Sequence, residues 1–391
     1  MKRTLLLLGI WLSGQTVILA QEPILSDSLP DPLITQSGKV IGTKEEWIAT
    51  RRPELLRLFQ ETIYGALPTA TIKHSRQRII SHTACRGRAT LTEVTLFFGK
   101  EAPCRQFCFS VVLPHSEGKV PMIVGLNYSG TNHVLSPDIV NQESTKGWNE
   151  YPVEEIINRG YGLATCYYQD ILPDNAGAVS LYRQAVATAG YSPGAISVWA
   201  WGLMQMMDYL QHQDGVIYNN KVAVYGFSRL GKAAIWAGVN DERFAAVISN
   251  ASGCGGAGLF RHRTYESIAK VNKRFAYWFT DTFVQYSDRE SALLIDQHEL
   301  LALIAPRFLY IGNALNDQYV EPFGEFEAAR RAAPVYELFG LKGIPVEVPQ
   351  VEVSYSDNSI GYHMRKGKHD ITDFDWNNYL LFLDKKLKTN Y

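Results

Sequence analysis

A three-layer α/β sandwich, with a mostly parallel central sheet and helices on both faces, is predicted by three features of this sequence. Short apolar runs rich in β-branched and aromatic residues recur along the chain. Helical patterns lie between them. One such run passes through a serine directly into a helix.

The runs are Phe107 to Leu113, Met122 to Asn127, Gly162 to Tyr168, Val222 to Tyr225, Ala246 to Ser249 and Phe308 to Gly312. Each has the length of a strand buried on both faces. Ser197 to Gln211 repeats apolar residues at Val198, Trp201, Leu203, Met206, Met207 and Leu210, a helical spacing. Gly231 to Ala237 and Phe323 to Leu338 read as further helices, and Asp373 to Leu387 as the last one. Val346 to Val348 is read as part of the final strand.

The chain has 391 residues, no internal repeat and no linker-like break, so one domain over 21–391 is expected. Residues 21 to about 40 are rich in Pro, Asp and Ser and read as an extended lead-in. Apolar content is 46% and charged content 20%, which argues against disorder. A formal net charge of −1 supplies no global field toward nucleic acid or an anionic membrane. Lys2 and Arg3 precede the apolar stretch Leu5 to Leu12, and Ala20 precedes Gln21, so residues 1–20 read as a signal peptide. The mature protein is then expected outside the cytoplasm, secreted or periplasmic, without a membrane anchor and as a monomer. Five cysteines (Cys85, Cys104, Cys108, Cys166 and Cys254) leave at least one unpaired, and Cys104 and Cys108 pair only if the chain turns between them. Their spacing makes a poor zinc pattern. The 8 Trp and 21 Tyr suit a cleft that stacks sugar rings, and equally a large core.

The sharpest local feature is Val222-Ala223-Val224-Tyr225-Gly226-Phe227-Ser228-Arg229-Leu230-Gly231-Lys232. A strand ends at a glycine and a helix starts after the serine, the context of an α/β-hydrolase nucleophile elbow. Such a turn pushes the hydroxyl out of the sheet edge and aims the following N–H groups at a developing oxyanion. The second glycine of Gly-x-Ser-x-Gly is displaced by one position, to Gly231. An ordinary strand-to-helix turn with a serine cap is the plainer reading.

In this fold the base comes last in the chain. His369, in a loop ahead of the final helix, is the candidate, and His363 is read as structural or as part of the rim. The acid belongs between the two, after a strand. Asp317 follows Phe308 to Gly312 in that way, with Glu321 and Glu325 as neighbouring alternatives, and plain turn chemistry accounts for Asn316-Asp317 as well.

With these residues in place, the chain resembles the glucuronoyl esterases, carbohydrate esterase family fifteen, over roughly residues 45 to 385. Gly226-Phe227-Ser228-Arg229-Leu230-Gly231-Lys232 is similar to the family's Gly-x-Ser-Arg-x-Gly-Lys. Leu126-Asn127-Tyr128-Ser129-Gly130, Trp199-Ala200-Trp201-Gly202-Leu203 and Ser252-Gly253-Cys254-Gly255-Gly256 match three further family segments, and the His369 loop ending in Asp375-Trp376 also fits. The resemblance implies cleavage of esters between 4-O-methyl-glucuronic acid of glucuronoxylan and lignin alcohols in the plant cell wall. It implies Ser228 as nucleophile, His369 as base and Arg229 as oxyanion donor, with Lys232, Glu266 and Tyr319 touching the sugar. No metal or organic cofactor is implied, since a serine hydrolase works with its own side chains and water.

Two departures bear on this. Many members carry a glutamate just before Ser-Gly-x-Gly-Gly as the triad acid, and here Ala251 stands there. Some bacterial members place the acid after the later strand, where Asp317 falls. Tyr319 occupies the usual place of a sugar-contacting tryptophan. These changes keep two other expectations open: the same machinery acting on an acetyl, feruloyl or alkyl ester of a glycan, and a glycan-binding homologue with little turnover. Labelling of Ser228 by a fluorophosphonate probe would exclude the second.

Overall fold

The computed structural model describes residues 29–130, 150–186, 192–213, 215–262, 266–317 and 319–388. The expected signal peptide, residues 1–20, lies outside these. Ten strands form one sheet: β1 (His74–Thr83), β2 (Ala89–Phe97), β3 (Gln106–Pro114), β4 (Val120–Asn127), β5 (Gly162–Tyr167), β6 (Ile217–Phe227), β7 (Phe244–Asn250), β8 (Phe308–Ala314), β9 (Ser354–Tyr355) and β10 (Ile360–Arg365). Their order is β1-β2-β3-β5-β4-β6-β7-β8-β10-β9. The six strands from β5 to β10 in that order are parallel. β1, β2 and β3 at one side and β9 at the other pair antiparallel.

Successive residues of a strand face opposite ways, so a strand covered on both sides must be apolar throughout. Along β6, Val222 and Val224 enter one core, and Ala223, Tyr225 and Phe227 the other. β4 divides likewise, with Met122, Val124 and Leu126 opposed to Ile123, and β8 divides Leu309 and Ile311 from Tyr310. The larger core lies under α1 (Arg52–Phe59), α4 (Ala195–Gln211), α5 (Arg229–Asn240), α7 (Gln297–Ala302), α8 (Pro322–Arg331) and α9 (Ala333–Leu338). The smaller lies under α2 (Val153–Asn158) and α10 (Asp373–Leu383). Two further helices border the site described below, α3 (Ala176–Ala185) and α6 (Ile268–Phe275). This is the three-layer arrangement expected from the sequence.

The long helix expected over 323–338 is two helices, α8 and α9, and Pro334 lies in the first turn of α9, where its missing N–H costs nothing. Val346 to Val348 are not strand. The last parallel strand is β10, whose Gly361, His363 and Arg365 break the apolar run that marks a strand in sequence. β1 is exposed at every residue but Ser81 and is legible only through its pairing with β2. All five cysteines are free thiols, so Cys104 and Cys108 are not joined. Among the described residues no helix is long and apolar enough to cross a membrane.

Every tryptophan among the described residues is buried: Trp47, Trp199, Trp201, Trp236, Trp278 and Trp376. The indole N–H groups of three of them tie helices to distant chain. Trp199 Nε1 donates to the Leu172 carbonyl at 3.0 Å and Trp201 Nε1 to that of Ala70 at 2.9 Å. Trp236, on α5, stacks on Tyr64 with centroids 4.4 Å apart and donates to Ser197 Oγ at 2.9 Å. Trp236→Ala is expected to lower unfolding free energy by about 3–5 kcal/mol, read from urea titration.

Candidate active site

Chain order reverses beside β4, with β5 on one side and β6 on the other, and in open α/β sheets it is at the carboxyl ends of strands beside such a switch point that ligands bind. Ser228, Asp317 and His369 follow β6, β8 and β10 at those ends. Ser228 has φ 55° and ψ −126°, a sparsely populated conformation for a residue with a side chain. It is held there by its N–H bond to the Asn250 carbonyl at 2.8 Å and by the Gly231 N–H, which donates to the Ser228 carbonyl at 2.9 Å. Gly226 is required by close approach, since a Cβ there would lie 2.0 Å from the Leu230 carbonyl oxygen. This is a strained strand–turn–helix and not an ordinary capped turn, for the Ser228 side chain makes no cap bond to α5.

The Ser228 hydroxyl lies 3.0 Å from His369 Nε2. His369 Nδ1 lies 2.6 Å from Asp317 Oδ2, and the Asp317 carboxylate is fully buried. The other carboxylate oxygen, Oδ1, accepts the Tyr319 N–H at 2.8 Å, which fixes its plane. An imidazole held this way keeps its Nδ1 proton toward the acid and its Nε2 lone pair toward the hydroxyl. The loop carrying His369 is clamped by Arg365. Its guanidinium donates to the Lys366 carbonyl at 2.9 Å and the Lys368 carbonyl at 3.0 Å, and its Nε donates to Asp375 Oδ2 at 2.8 Å. His363 is buried on β10 and bonded to Asp375 Oδ1 at 2.9 Å, so it supports this clamp and does not reach the serine. Burial opposes the Asp375 charge, but His363, Arg365 and Thr372 outweigh it and its pKa falls below the ordinary carboxylate value.

Of the alternative acids, neither reaches His369. Glu321 lies 3.4 Å from His262 Nδ1. Glu325 is fully buried and accepts the Gly253 N–H at 2.7 Å and Asn313 Nδ2 at 2.9 Å. It anchors the turn Ser252-Gly253-Cys254-Gly255-Gly256, in which Gly253 and Gly255 take φ 53° and 73°, a region suited to glycine. Ala251, at the start of that turn, is buried and offers no carboxylate.

That turn in turn holds Lys232. The ammonium donates to the Ser252 carbonyl and, at 2.7 Å, to the Cys254 carbonyl, and lies 3.8 Å from Glu266 Oε2. Glu266 is no solvated helix charge: it precedes α6, is partly buried and accepts the Cys254 N–H at 3.2 Å. Its carboxyl is pushed above the ordinary value by burial, with Lys232 acting against that. Tyr319 is 57% exposed, with its ring 5.3 Å from that of His369, so it is an exposed aromatic beside the base. Arg229 opens α5 beside the nucleophile, and its guanidinium pairs with Asp174 and lies 4.8 Å over the Trp278 ring. Sequence reasoning missed Asp174, Phe275, Tyr277 and Trp278, which carry no short motif. Among the described residues no group of three or more His, Cys, Asp or Glu is arranged to hold a metal ion.

Two predictions follow from this geometry. Gly226→Ala should displace the Leu230 carbonyl and with it Ser228, lowering kcat by about 100-fold while far-ultraviolet circular dichroism is unchanged. Burial raises the Glu325 pKa to about 7 from an ordinary 4.5, so the folded protein holds a proton there that the unfolded chain has released. That contribution is full below the unfolded value and is lost as pH rises through the folded one. Wild type should therefore lose roughly 3 kcal/mol of stability relative to Glu325→Gln between pH 4.5 and 8, measured by denaturant unfolding.

Comparison with known proteins identifies the family of the chain. A family model for glucuronyl esterases of fungi matches residues 180–340. A carbohydrate esterase from an unknown prokaryotic organism is 37% identical over 388 residues, covering 91% of this chain and 89% of that protein. A 4-O-methyl-glucuronoyl methylesterase of Wolfiporia cocos is 27% identical over 331 residues, 81% of this chain and 73% of that one. The solved glucuronoyl esterase of Solibacter usitatus superposes with a TM-score of 0.83 at 36% identity, over 93% of this chain and 98% of its own. A promiscuous CE15 esterase from a marine bacterial metagenome gives 0.81 at 35%, with the same coverage. With this similarity along nearly its whole length, and the sheet order of an α/β-hydrolase, the chain belongs to carbohydrate esterase family 15, the glucuronoyl esterase family.

Proposed function

We propose that this protein is an exported serine esterase that cleaves 4-O-methyl-glucuronoyl esters joining glucuronoxylan to lignin alcohols. The observation that carries the reading is the hydrogen-bonded chain Ser228–His369–Asp317, at 3.0 and 2.6 Å, with Arg229 directly following the nucleophile at the start of α5. Ser228 Oγ attacks the uronic carbonyl carbon as His369 Nε2 takes the hydroxyl proton. The oxyanion is met by the N–H groups at the start of α5 and by the Arg229 side chain. Collapse breaks the bond to the alcohol, which leaves with the proton from His369, and a glucuronoyl ester remains on Ser228. Water, deprotonated by His369, attacks that ester and frees the acid and the serine. Asp317 stabilises the imidazolium in both halves.

The sugar reading rests on relatives named 4-O-methyl-glucuronoyl methylesterase and on Lys232 and Glu266, two polar heads beside the nucleophile's helix. A neutral ester gives Lys232 no carboxylate to pair with before cleavage, so selection falls to sugar hydroxyls. Export follows from the signal peptide expected over 1–20, ahead of a single catalytic domain over 21–391 acting as a monomer. A second reading is favoured by Tyr319 beside the base, and by the relative described as promiscuous: the same machinery takes other glycan esters.

Purified protein is expected to hydrolyse benzyl glucuronate and to leave an acetylated xylo-oligosaccharide intact. Ser228→Ala should abolish that activity, and Asp317→Asn should lower kcat by about 10⁴-fold without loss of folding. Acetate release at a comparable rate would establish the second reading, and near wild-type kinetics in Asp317→Asn would remove Asp317 from the mechanism.

A further inference from the structure

Asp174 lies between β5 and α3, outside every segment that marks the family, and its side chain is only 6% exposed. It gathers four side-chain donors. One oxygen accepts from the Arg229 guanidinium and from Tyr168 Oη at 3.1 Å. The other accepts from Tyr277 Oη at 2.9 Å and Trp278 Nε1 at 2.8 Å. Phe275, at the end of α6, stacks on Trp278 with centroids 3.9 Å apart and planes 3° from parallel. The Arg229 guanidinium lies 4.8 Å from the Trp278 centroid, 5.4 Å from that of Phe275 and 5.9 Å from that of Tyr128.

An arginine has four soft torsions, and one on the first turn of a helix is ordinarily free to sweep the surface. Here three aromatic faces and one carboxylate leave it a single place. Its Nε is nevertheless buried without an acceptor. The side chain as a whole keeps 27% of its surface exposed. Arg229 directly follows Ser228 and is the first residue of α5. A carboxylate beside the arginine weakens its net field, so the gain from Asp174 is orientation and not charge.

We propose that Asp174 is a positioning residue for ester hydrolysis: together with Tyr168, Tyr277 and Trp278 it fixes the Arg229 guanidinium in one orientation beside the oxyanion formed on Ser228. This rests on the esterase reading above and on the place of Arg229 in it. Asp174 acts through Arg229 and touches no reacting atom.

The test is a double-mutant cycle of Asp174→Asn and Arg229→Ala, with benzyl glucuronate and with 4-nitrophenyl acetate, which needs the serine and the oxyanion site but no sugar contact. Asp174→Asn should lower kcat by about 10- to 100-fold on both esters with KM within about twofold of wild type. In the Arg229→Ala background the same substitution should change kcat by less than about twofold, because the group it positions is gone. Tyr277→Phe deletes one hydroxyl and keeps the ring, so it covers the case in which Asp174→Asn fails to fold. It should lower kcat several-fold, and only when Arg229 is present. A wild-type kcat in Asp174→Asn, or a loss that adds in full to that of Arg229→Ala, overturns the proposal. Failure of the glucuronate reading shows elsewhere, as a wild type that turns over 4-nitrophenyl acetate and not benzyl glucuronate.

Discussion

Parallel pairing of β6, β7, β8 and β10 is the constraint on which the site depends, and it continues beyond the strand ends. The Ser228 N–H bonds to the Asn250 carbonyl of β7, and the Ala251 N–H to the Gly312 carbonyl of β8. The Leu315 N–H bonds to the Arg365 carbonyl of β10, and the Asn316 N–H to that of Gly367. Each loop is thereby splinted to the next before it departs from the sheet. Nucleophile and base are 141 residues apart in sequence, yet their separation is set by a ladder of main-chain bonds. A rigid ladder is what lets a hydrogen bond as short as that of Asp317 to His369 form without ordering a flexible segment each turnover.

Around this ladder, charge is matched locally. Arg229 faces Asp174, Lys232 faces Glu266, and Arg365 faces Asp375. Removing charges from water is costly unless each finds a partner. Glu325 is the exception: it accepts from the Gly253 N–H, the Asn313 amide and the Ser252 hydroxyl, and its carboxyl answers by holding a proton more tightly. The site is thus built from near-neutral units, which suits a substrate that is itself uncharged until the ester breaks.

Legibility in the sequence tracked how each residue is buried. The central strands were readable because a strand covered on both faces must be apolar at every position, and β6 running into Gly226 and Ser228 marked the elbow. Asp317 and His369 were readable from chain order. β10 was obscured by His363 and Arg365, polar residues that are buried only because Asp375, on α10, takes both. β1 was hidden for the opposite reason, being exposed on both faces with no alternation to detect. Val346 to Val348 had the composition of a strand without a neighbour to pair with. Asp174 gave no signal at all, since its partner Arg229 is 55 residues away and only folding brings them together.

The five free thiols have a consequence for how the protein is made. Cys85, Cys166 and Cys254 are buried, and burial raises their pKa, so little thiolate is present to oxidise. The core, large enough to span both faces of a ten-stranded sheet, takes the place of cross-links. Folding then calls for no disulfide oxidase or isomerase, and the same native state is reachable in a reducing cell interior as in an oxidising one.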